Sequence, residues 1–371
     1  MKAPKILISG GGTGGHIFPA LSIADAVKRR HPDAEILFVG AEGRMEMQRV
    51  PSAGYKIIGL PVCGFDRKRP WRNIKVMFKL WKSMRIARNV VKNFRPDIAI
   101  GVGGYASGPT LKAAQKAGIP TLLQEQNSYA GVTNKLLAKK AKAICVAYDG
   151  MDKFFPSEVI IKTGNPVRAN IVNSSISREE AKEKLGFNPS KPLVAIVGGS
   201  LGARTLNKVM AASLQRFVDK DISVLWQCGK FYAKEYVPMG EGKTDVVVTD
   251  FIKDMDVVYR AADVIVSRAG AGTISELQIA GVPAILVPSP NVAEDHQRHN
   301  AEALSVPGAA VMVLDANAEN SLAVEIMYLL EDDTRRASLA EKIKEMALPD
   351  ASDNIAGIID GIIEKNTEKD N

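Results

Sequence analysis

His16 follows directly on Gly10-Gly11-Gly12-Thr13-Gly14-Gly15, which itself follows the apolar run Lys5-Ile6-Leu7-Ile8-Ser9. Glycines let backbone N–H groups approach a ligand closely, and a helix opening behind them adds partial positive charge, so the run suits an anion. His16 falls in the first turn of that helix. Imidazolium is disfavoured there, and a neutral ring can take a proton from an attacking hydroxyl. The plainer reading is a histidine that only helps cap the helix, and position alone leaves both open. The device recurs at Leu193–Val197 followed by Gly198-Gly199-Ser200-Leu201-Gly202-Ala203. It recurs again where the strand 263–266 runs into Ser267-Arg268-Ala269-Gly270-Ala271-Gly272-Thr273-Ile274-Ser275-Glu276. A diphosphate suits the N–H groups of that last opening, and Glu276 suits paired ribose hydroxyls; its plain reading is a surface glutamate.

Two further clusters stand at strand ends. Gly101-Val102-Gly103-Gly104-Tyr105-Ala106-Ser107-Gly108-Pro109 is another glycine-rich turn, and Leu123-Gln124-Glu125-Gln126-Asn127 brings amides and a carboxylate together. Ligands of open α/β sheets bind beyond the carboxyl ends of strands. Other chemistries lack their residues. Gly10, Gly12 and Gly15 fit G-x-G-x-x-G, but the next strand, Ile36-Leu37-Phe38-Val39, ends in Gly40 where a dinucleotide site wants an acid. Asp254-Met255-Asp256 offers a D-x-D metal pair, yet it precedes a helical pattern in which an Asp serves as N-cap. G-x-x-x-x-G-K-[ST] and G-x-S-x-G are both absent. Glu294-Asp295-His296-Gln297-Arg298-His299-Asn300 reads as a polar helix start.

Candidate strands fall at 5–9, 35–39, 55–59, 97–102, 120–123, 143–147 and 158–161, then at 193–197, 222–226, 245–249, 263–266, 283–287 and 310–314. Most are continuous Val, Ile and Leu runs, as parallel strands buried on both faces are, with helical segments between them. The expected fold is α/β, with two doubly wound Rossmann-like domains facing a cleft. Thr163-Gly164-Asn165-Pro166-Val167-Arg168 divides them, giving domains 1–163 and 168–348. A final helix, near 350–366, is expected to pack back on the first domain.

The chain has 371 residues and a net charge of +8, unevenly spread. Residues 1–163 carry 27 Lys and Arg against 11 Asp and Glu, a net of +16; residues 164–371 carry 22 against 30, a net of −8. The first half therefore suits an anionic partner. Three scattered cysteines (Cys63, Cys145, Cys228) make neither a disulfide framework nor a zinc pattern, which fits a reducing, cytoplasmic setting. No signal peptide or membrane span is legible. Residues 67–95 hold Arg67, Lys68, Arg69, Arg72, Lys75, Lys79, Lys82, Arg85, Arg88, Lys92 and Arg95 without one acid, alongside Trp71, Ile74, Met77, Phe78, Trp81, Met84 and Val91 at helical spacing. This basic amphipathic helix suits an anionic membrane surface; the bland alternative is an apolar stripe packed on the sheet. Nucleic-acid-binding motifs are absent.

Taken together, Gly11–His16, Gly103–Gly108, Glu125–Asn127, Gly164–Arg168, Gly198–Ala203 and Ala271–Glu276 resemble, in order, the motifs of the MurG family of bacterial N-acetylglucosaminyltransferases. The resemblance implies an inverting, metal-independent GT-B enzyme without a cofactor. It implies UDP-N-acetylglucosamine held mainly by the second domain. The acceptor, met by the first domain, would be lipid I, the undecaprenyl-diphospho-muramoyl-pentapeptide. The setting would be peripheral, at the cytoplasmic face of the cell membrane. By motif match, Thr13, Gly14, Gly15, Asn127, Arg168, Ser200, Ile252, Ala271, Gly272, Thr273, Ile274, Ser275, Glu276 and Gln297 line the donor site, with Ile252 at the uracil and Glu276 at the ribose. Family members often carry His where this chain has Gln124, which leaves His16 as the favoured base and Glu125 as a helper. Another GT-B glycosyltransferase, a UDP-sugar 2-epimerase and a non-catalytic UDP-sugar-binding protein are the alternatives.

Overall fold

The computed structural model describes residues 3–64 and 73–370. Of the basic helix, Arg67, Lys68, Arg69, Trp71 and Arg72 lie outside the described residues. The chain divides into two units, Met1–Arg168 with Pro349–Asn371, and Ala169–Leu348.

The first unit runs β1 (Lys5–Ser9), α1 (Gly14–Arg30), β2 (Glu35–Ala41), α2 (Glu46–Ser52), β3 (Lys56–Leu60), α3 (Asn73–Phe94), β4 (Ile98–Gly101), α4 (Ser107–Lys116), β5 (Thr121–Glu125), α5 (Val132–Leu137), β6 (Ala143–Val146) and β7 (Ile160–Lys162). Its seven strands lie in the order β3-β2-β1-β4-β5-β6-β7, and the pairings are parallel. Alternation along β1 sends Ile6 and Ile8 to one face and Leu7 to the other. The first face is covered by Ile23 and Val27 of α1 and by Ile355 and Ile359 of the last helix, Ala351–Asp370, which packs on α1. The second is covered by Ala87, Val90 and Val91 of α3 and Leu111 of α4.

The second unit runs α6 (Ala169–Val172), α7 (Arg178–Lys184), β8 (Leu193–Val197), α8 (Arg204–Asp219), β9 (Ser223–Gln227), α9 (Ala233–Tyr236), β10 (Val246–Thr249), α10 (Met255–Ala261), β11 (Val264–Ser267), α11 (Ala271–Ala280), β12 (Ala284–Leu286), α12 (His296–Ser305), β13 (Val311–Met312), α13 (Ala318–Glu331) and α14 (Asp333–Glu345). Its strand order is β10-β9-β8-β11-β12-β13, again parallel. The core gathers Val194 and Ile196 of β8, Met210 and Phe217 of α8, Trp226 of β9 and Leu322 and Ile326 of α13.

In each sheet the strand order reverses beside the unit's first strand. β1 is flanked by β2 and β4, and β8 by β9 and β11. Loops after β1 and β4, and after β8 and β11, therefore leave side by side at a switch point, where such sheets bind ligands. Ser9 pairs with Gly101, and Val197 with Ser267, so each pair of loops starts level.

Candidate functional site

At the first switch point two glycine turns pack backbone on backbone. Gly104 has φ +84°, and a Cβ there would run into the Gly11 carbonyl. Ser107 ties the turns together: its Oγ donates to Ser9 O (2.6 Å) and lies 2.9 Å from Gly103 O. His16, half-buried in the first turn of α1, has Nδ1 3.0 Å from Gly11 O and 3.3 Å from Thr13 Oγ1. A carbonyl only accepts, so Nδ1 carries the proton, and in the neutral ring Nε2 then holds the lone pair, which is the arrangement a base needs. Nε2 is directed at Gly103, where a Cβ would lie 2.8 Å from it. Thr13 is the N-cap residue of α1 without a side-chain capping bond, and it is exposed with Gly15.

The first glycine loop departs from the simple anion cradle. Gly12 N–H donates to both oxygens of Glu46 (3.0 and 3.1 Å), a carboxylate only 1% exposed that also accepts from Ala41 N–H (3.0 Å). Sequence reasoning passed over Glu46 altogether. It belongs to no motif, and its role rests on a contact 34 residues away in the chain.

Glu125, expected as a helper to the base, is 2% exposed with its oxygens engaged by its own loop. Oε1 accepts from Asn127 N–H and Nδ2 (3.2 Å each), and Oε2 from Gly131 N–H (3.0 Å) and Asn134 Nδ2 (2.9 Å). A carboxylate so taken up shapes the Asn127 turn. Gln124, in place of the family's histidine, is fully buried and donates to Asn165 Oδ1 (2.9 Å), while Gln126 Nε2 bonds Gln124 Oε1 and Asn165 Nδ2 donates to Gln126 O (3.0 Å). This amide cluster ties the residues before Arg168 to the end of β5. The Arg168 guanidinium lies over the Phe18 ring of α1, 5.7 Å from its centroid.

At the second switch point, Gly270 is the extended N-cap residue of α11 and makes no side-chain capping bond. Ala271, Gly272 and Thr273 form the first turn. Such a turn brings backbone amides and the positive end of the helix dipole to one place. Ile274 and Ser275 lie deeper in α11 than Gly272 and Thr273. Ile274 is fully buried with its N–H on Gly270 O (2.9 Å), and Ser275 is 6% exposed, so both serve the packing of α11. Glu276 is half-buried, not a plain surface glutamate, and accepts from Tyr259 Oη (2.7 Å). Tyr259 fixes that carboxylate and was not anticipated. Ser200 is exposed and Ile252 half-buried. Gln297 Oε1 accepts from Ser289 N–H (2.9 Å), which spends its carbonyl on the loop after β12. Asp254 holds the N-cap position of α10 but makes no side-chain capping bond, and Asp256 accepts from Asn170 Nδ2 (2.9 Å). No group of three or more potential ligands gathers for a metal among the described residues. Just before α12, Glu294 (φ +56°) and Asp295 (φ +50°) are both left-handed, a strain that concentrates at working loops.

Residues 6–146 match the glycosyltransferase family 28 N-terminal domain, and residues 193–355 its C-terminal domain. A Bacteroides fragilis protein is 57% identical over 358 residues, covering 95% of this chain and 94% of its own length. A Parabacteroides distasonis protein is 54% identical over 368 residues, covering 98% and 100%. Both are named UDP-N-acetylglucosamine–N-acetylmuramyl-(pentapeptide) pyrophosphoryl-undecaprenol N-acetylglucosamine transferase. The crystal structure of Acinetobacter baumannii MurG superposes with a TM-score of 0.78 at 29% identity, covering 96% of this chain and 99% of that one. A UDP-N-acetylglucosamine 2-epimerase structure from Listeria monocytogenes (TM-score 0.71, 14% identity, 98% of each chain) shares the fold alone. The chain is a GT-B-type member of glycosyltransferase family 28, and within it belongs to the MurG family of N-acetylglucosaminyltransferases.

Proposed function

We propose that this chain transfers N-acetylglucosamine from UDP-N-acetylglucosamine to the C4 hydroxyl of lipid I, the polyprenyl-diphosphate-linked muramoyl-pentapeptide, giving lipid II with inversion at the anomeric carbon. One observation carries the reading: a chain 57% identical to a transferase of that name holds an imidazole at its first glycine loop with Nδ1 3.0 Å from Gly11 O. The acceptor O4 attacks C1 of the donor sugar as its proton passes to His16 Nε2. The O4–C1 bond forms, the C1–O bond to the diphosphate breaks, and UDP leaves with the electron pair. The amides of Ala271–Thr273, with Ser200, meet the charge that grows on the diphosphate; oriented dipoles of this kind are usually the largest contribution to catalysis. Glu276, held by Tyr259, takes the ribose hydroxyls, Ile252 meets uracil through its backbone, and Asn127, Arg168, Gln297 and Thr13–Gly15 complete the donor contacts. No metal or cofactor has a step in this scheme.

Incubation with UDP-N-acetylglucosamine and a lipid I analogue tests it, with transfer the expected result. UDP release or an epimerised sugar without acceptor refutes it in favour of an epimerase, and binding without turnover refutes it in favour of a binding protein. His16→Ala should lower kcat by roughly 10²–10⁴; near-normal turnover removes His16 from the role of base.

α3 supports peripheral membrane docking. Val76, Ala87, Val90 and Val91 are buried, whereas Met77, Phe78 and Trp81 are 57%, 72% and 65% exposed among exposed Lys79, Lys82, Arg85, Arg88 and Lys92. Each basic residue near an anionic leaflet contributes about 1 kcal/mol, and exposed aromatics add apolar insertion. No helix among the described residues is long and apolar enough to cross a membrane. Phe78→Ser with Trp81→Ser, and Lys79→Glu with Lys82→Glu, should each weaken co-sedimentation with anionic liposomes; unchanged binding in both counts against docking through α3.

A further inference from the structure

The peptide group joining Gly11 to Gly12 is bonded at both ends. Its N–H donates to the Glu46 carboxylate, and its C=O accepts from His16 Nδ1 (3.0 Å). Taking His16 as the base proposed above, we infer that Glu46 is a positioning residue for the transfer: acting through that one peptide, its carboxylate holds His16 with the proton on Nδ1 and the lone pair on Nε2.

A buried carboxylate must be hydrogen-bonded, and Glu46 is served by the N–H groups of Gly12 and Ala41. Its negative charge at the amide end of the Gly11–Gly12 peptide polarises the group. The carbonyl at the other end becomes a stronger acceptor, by roughly 10–30% per bond in such chains. Carboxylates bonded directly to histidine fix the tautomer and raise the basicity of the far nitrogen; here a peptide is interposed. The glycines serve this arrangement. A Cβ at Gly11 would strike the Glu46 carboxyl group, and one at Gly40 would lie 2.6 Å from Glu46 Cγ. Among the described residues, other ionisable groups on the neighbouring elements are few. α1 has no acid in its first turn, the β4–α4 turn brings Tyr105, Glu125 is bonded to its own loop, and Arg168 lies over Phe18.

The full-length protein labelled with ¹⁵N-histidine gives the test. It has four histidines, and the loss of signals in His16→Gln identifies those of His16. Wild type should show Nδ1 protonated and Nε2 bare when the ring is neutral. Glu46→Gln removes the charge that favours imidazolium, so the His16 titration midpoint should fall by about 0.5–1 unit. The acid limb of kcat/KM should move down with it, and kcat should fall about tenfold. Glu46→Asp should recover part of both. An Nε2-protonated neutral ring in wild type, which needs no variant, overturns the proposal; so does an unmoved midpoint in folded Glu46→Gln. A midpoint that falls while the pH–rate profile stays fixed supports the Glu46 linkage and removes His16 as the base.

Discussion

Gly103→Ala brings a methyl group to the proposed base without replacing any partner of its own hydrogen bonds. A Cβ at 103 would lie 2.8 Å from His16 Nε2 and 2.9 Å from Cδ2. Ordinary contact begins at 3.4 Å, so the ring must retreat by about 0.6 Å. A misplacement of about 1 Å in a reacting group can cost 10²-fold, so this one should lower kcat roughly 10–30-fold. Gly103 also has φ +92°, where any L-residue is strained by about 1–2 kcal/mol. That strain must be separated from the steric effect, and Gly118 provides the control. Its φ is +78°, it lies in the same unit, and nothing stands within 4 Å of its would-be Cβ. Both variants should lose similar stability, about 2–4 °C of melting temperature per kcal/mol. Only Gly103→Ala should lose rate in a UDP-release assay with lipid I analogue. If it turns over as fast as Gly118→Ala, Nε2 is not poised where the transferred proton goes.

Four further outcomes follow from the same contacts. Glu125→Gln sets an amide NH₂ against one pair of the donors that the carboxylate accepts, costing about 1–3 kcal/mol in a melt and disturbing Asn127; unchanged stability would mean that the turn holds itself. Tyr259→Phe removes the 2.7 Å hydrogen bond to Glu276 and should raise KM for UDP-N-acetylglucosamine about threefold to tenfold while leaving acceptor KM unmoved; an equal rise in both would remove Glu276 from the ribose. Stripping divalent ions with EDTA should change kcat by less than about twofold, and loss restored by Mg²⁺ would defeat diphosphate stabilisation by amides. Burial pushes the Cys145 thiol up to about 12 and raises that of Cys228, so the thiolate of both is scarce at pH 8. Half-buried Cys63 alone should react quickly with a thiol reagent in the native protein, with all three reacting after denaturation; fast labelling of Cys145 would contradict its packing.

The strands were legible because parallel strands covered on both faces leave unbroken apolar runs. Leu193–Val197 was read to the residue, while β13 shrinks from 310–314 to Val311–Met312 because it is an edge strand with one partner. The glycine loops were legible too, since few residue types tolerate φ values such as +84° at Gly104. Side-chain partnerships across the fold were not. That Glu125 spends itself on its loop and that Tyr259 holds Glu276 depend on which chains meet in space. The α3 pattern announced an amphipathic helix, but Met77, Phe78 and Trp81 could equally have faced the sheet. Asp254 was a fair cap by residue type; at φ −95° and ψ 66° it makes no side-chain capping bond.

Two glycine-bearing loops that open helices after parallel strands differ in what meets their amides. Gly12 N–H is met by Glu46, a buried negative charge supplied by the chain itself. A second anion brought to that amide encounters like charge at short range, in surroundings where screening by water is weak. The α11 opening is capped by Gly270 without any side-chain bond, and α11 has no acid in its first turn. The like charge concerns the Gly12 amide alone, not Thr13–Gly15 beyond it, and the first turn of α11, proposed above for the donor diphosphate, carries no acid that would oppose one. At the first loop the glycines make room for a carboxylate, the carboxylate orients a peptide, and the peptide orients His16.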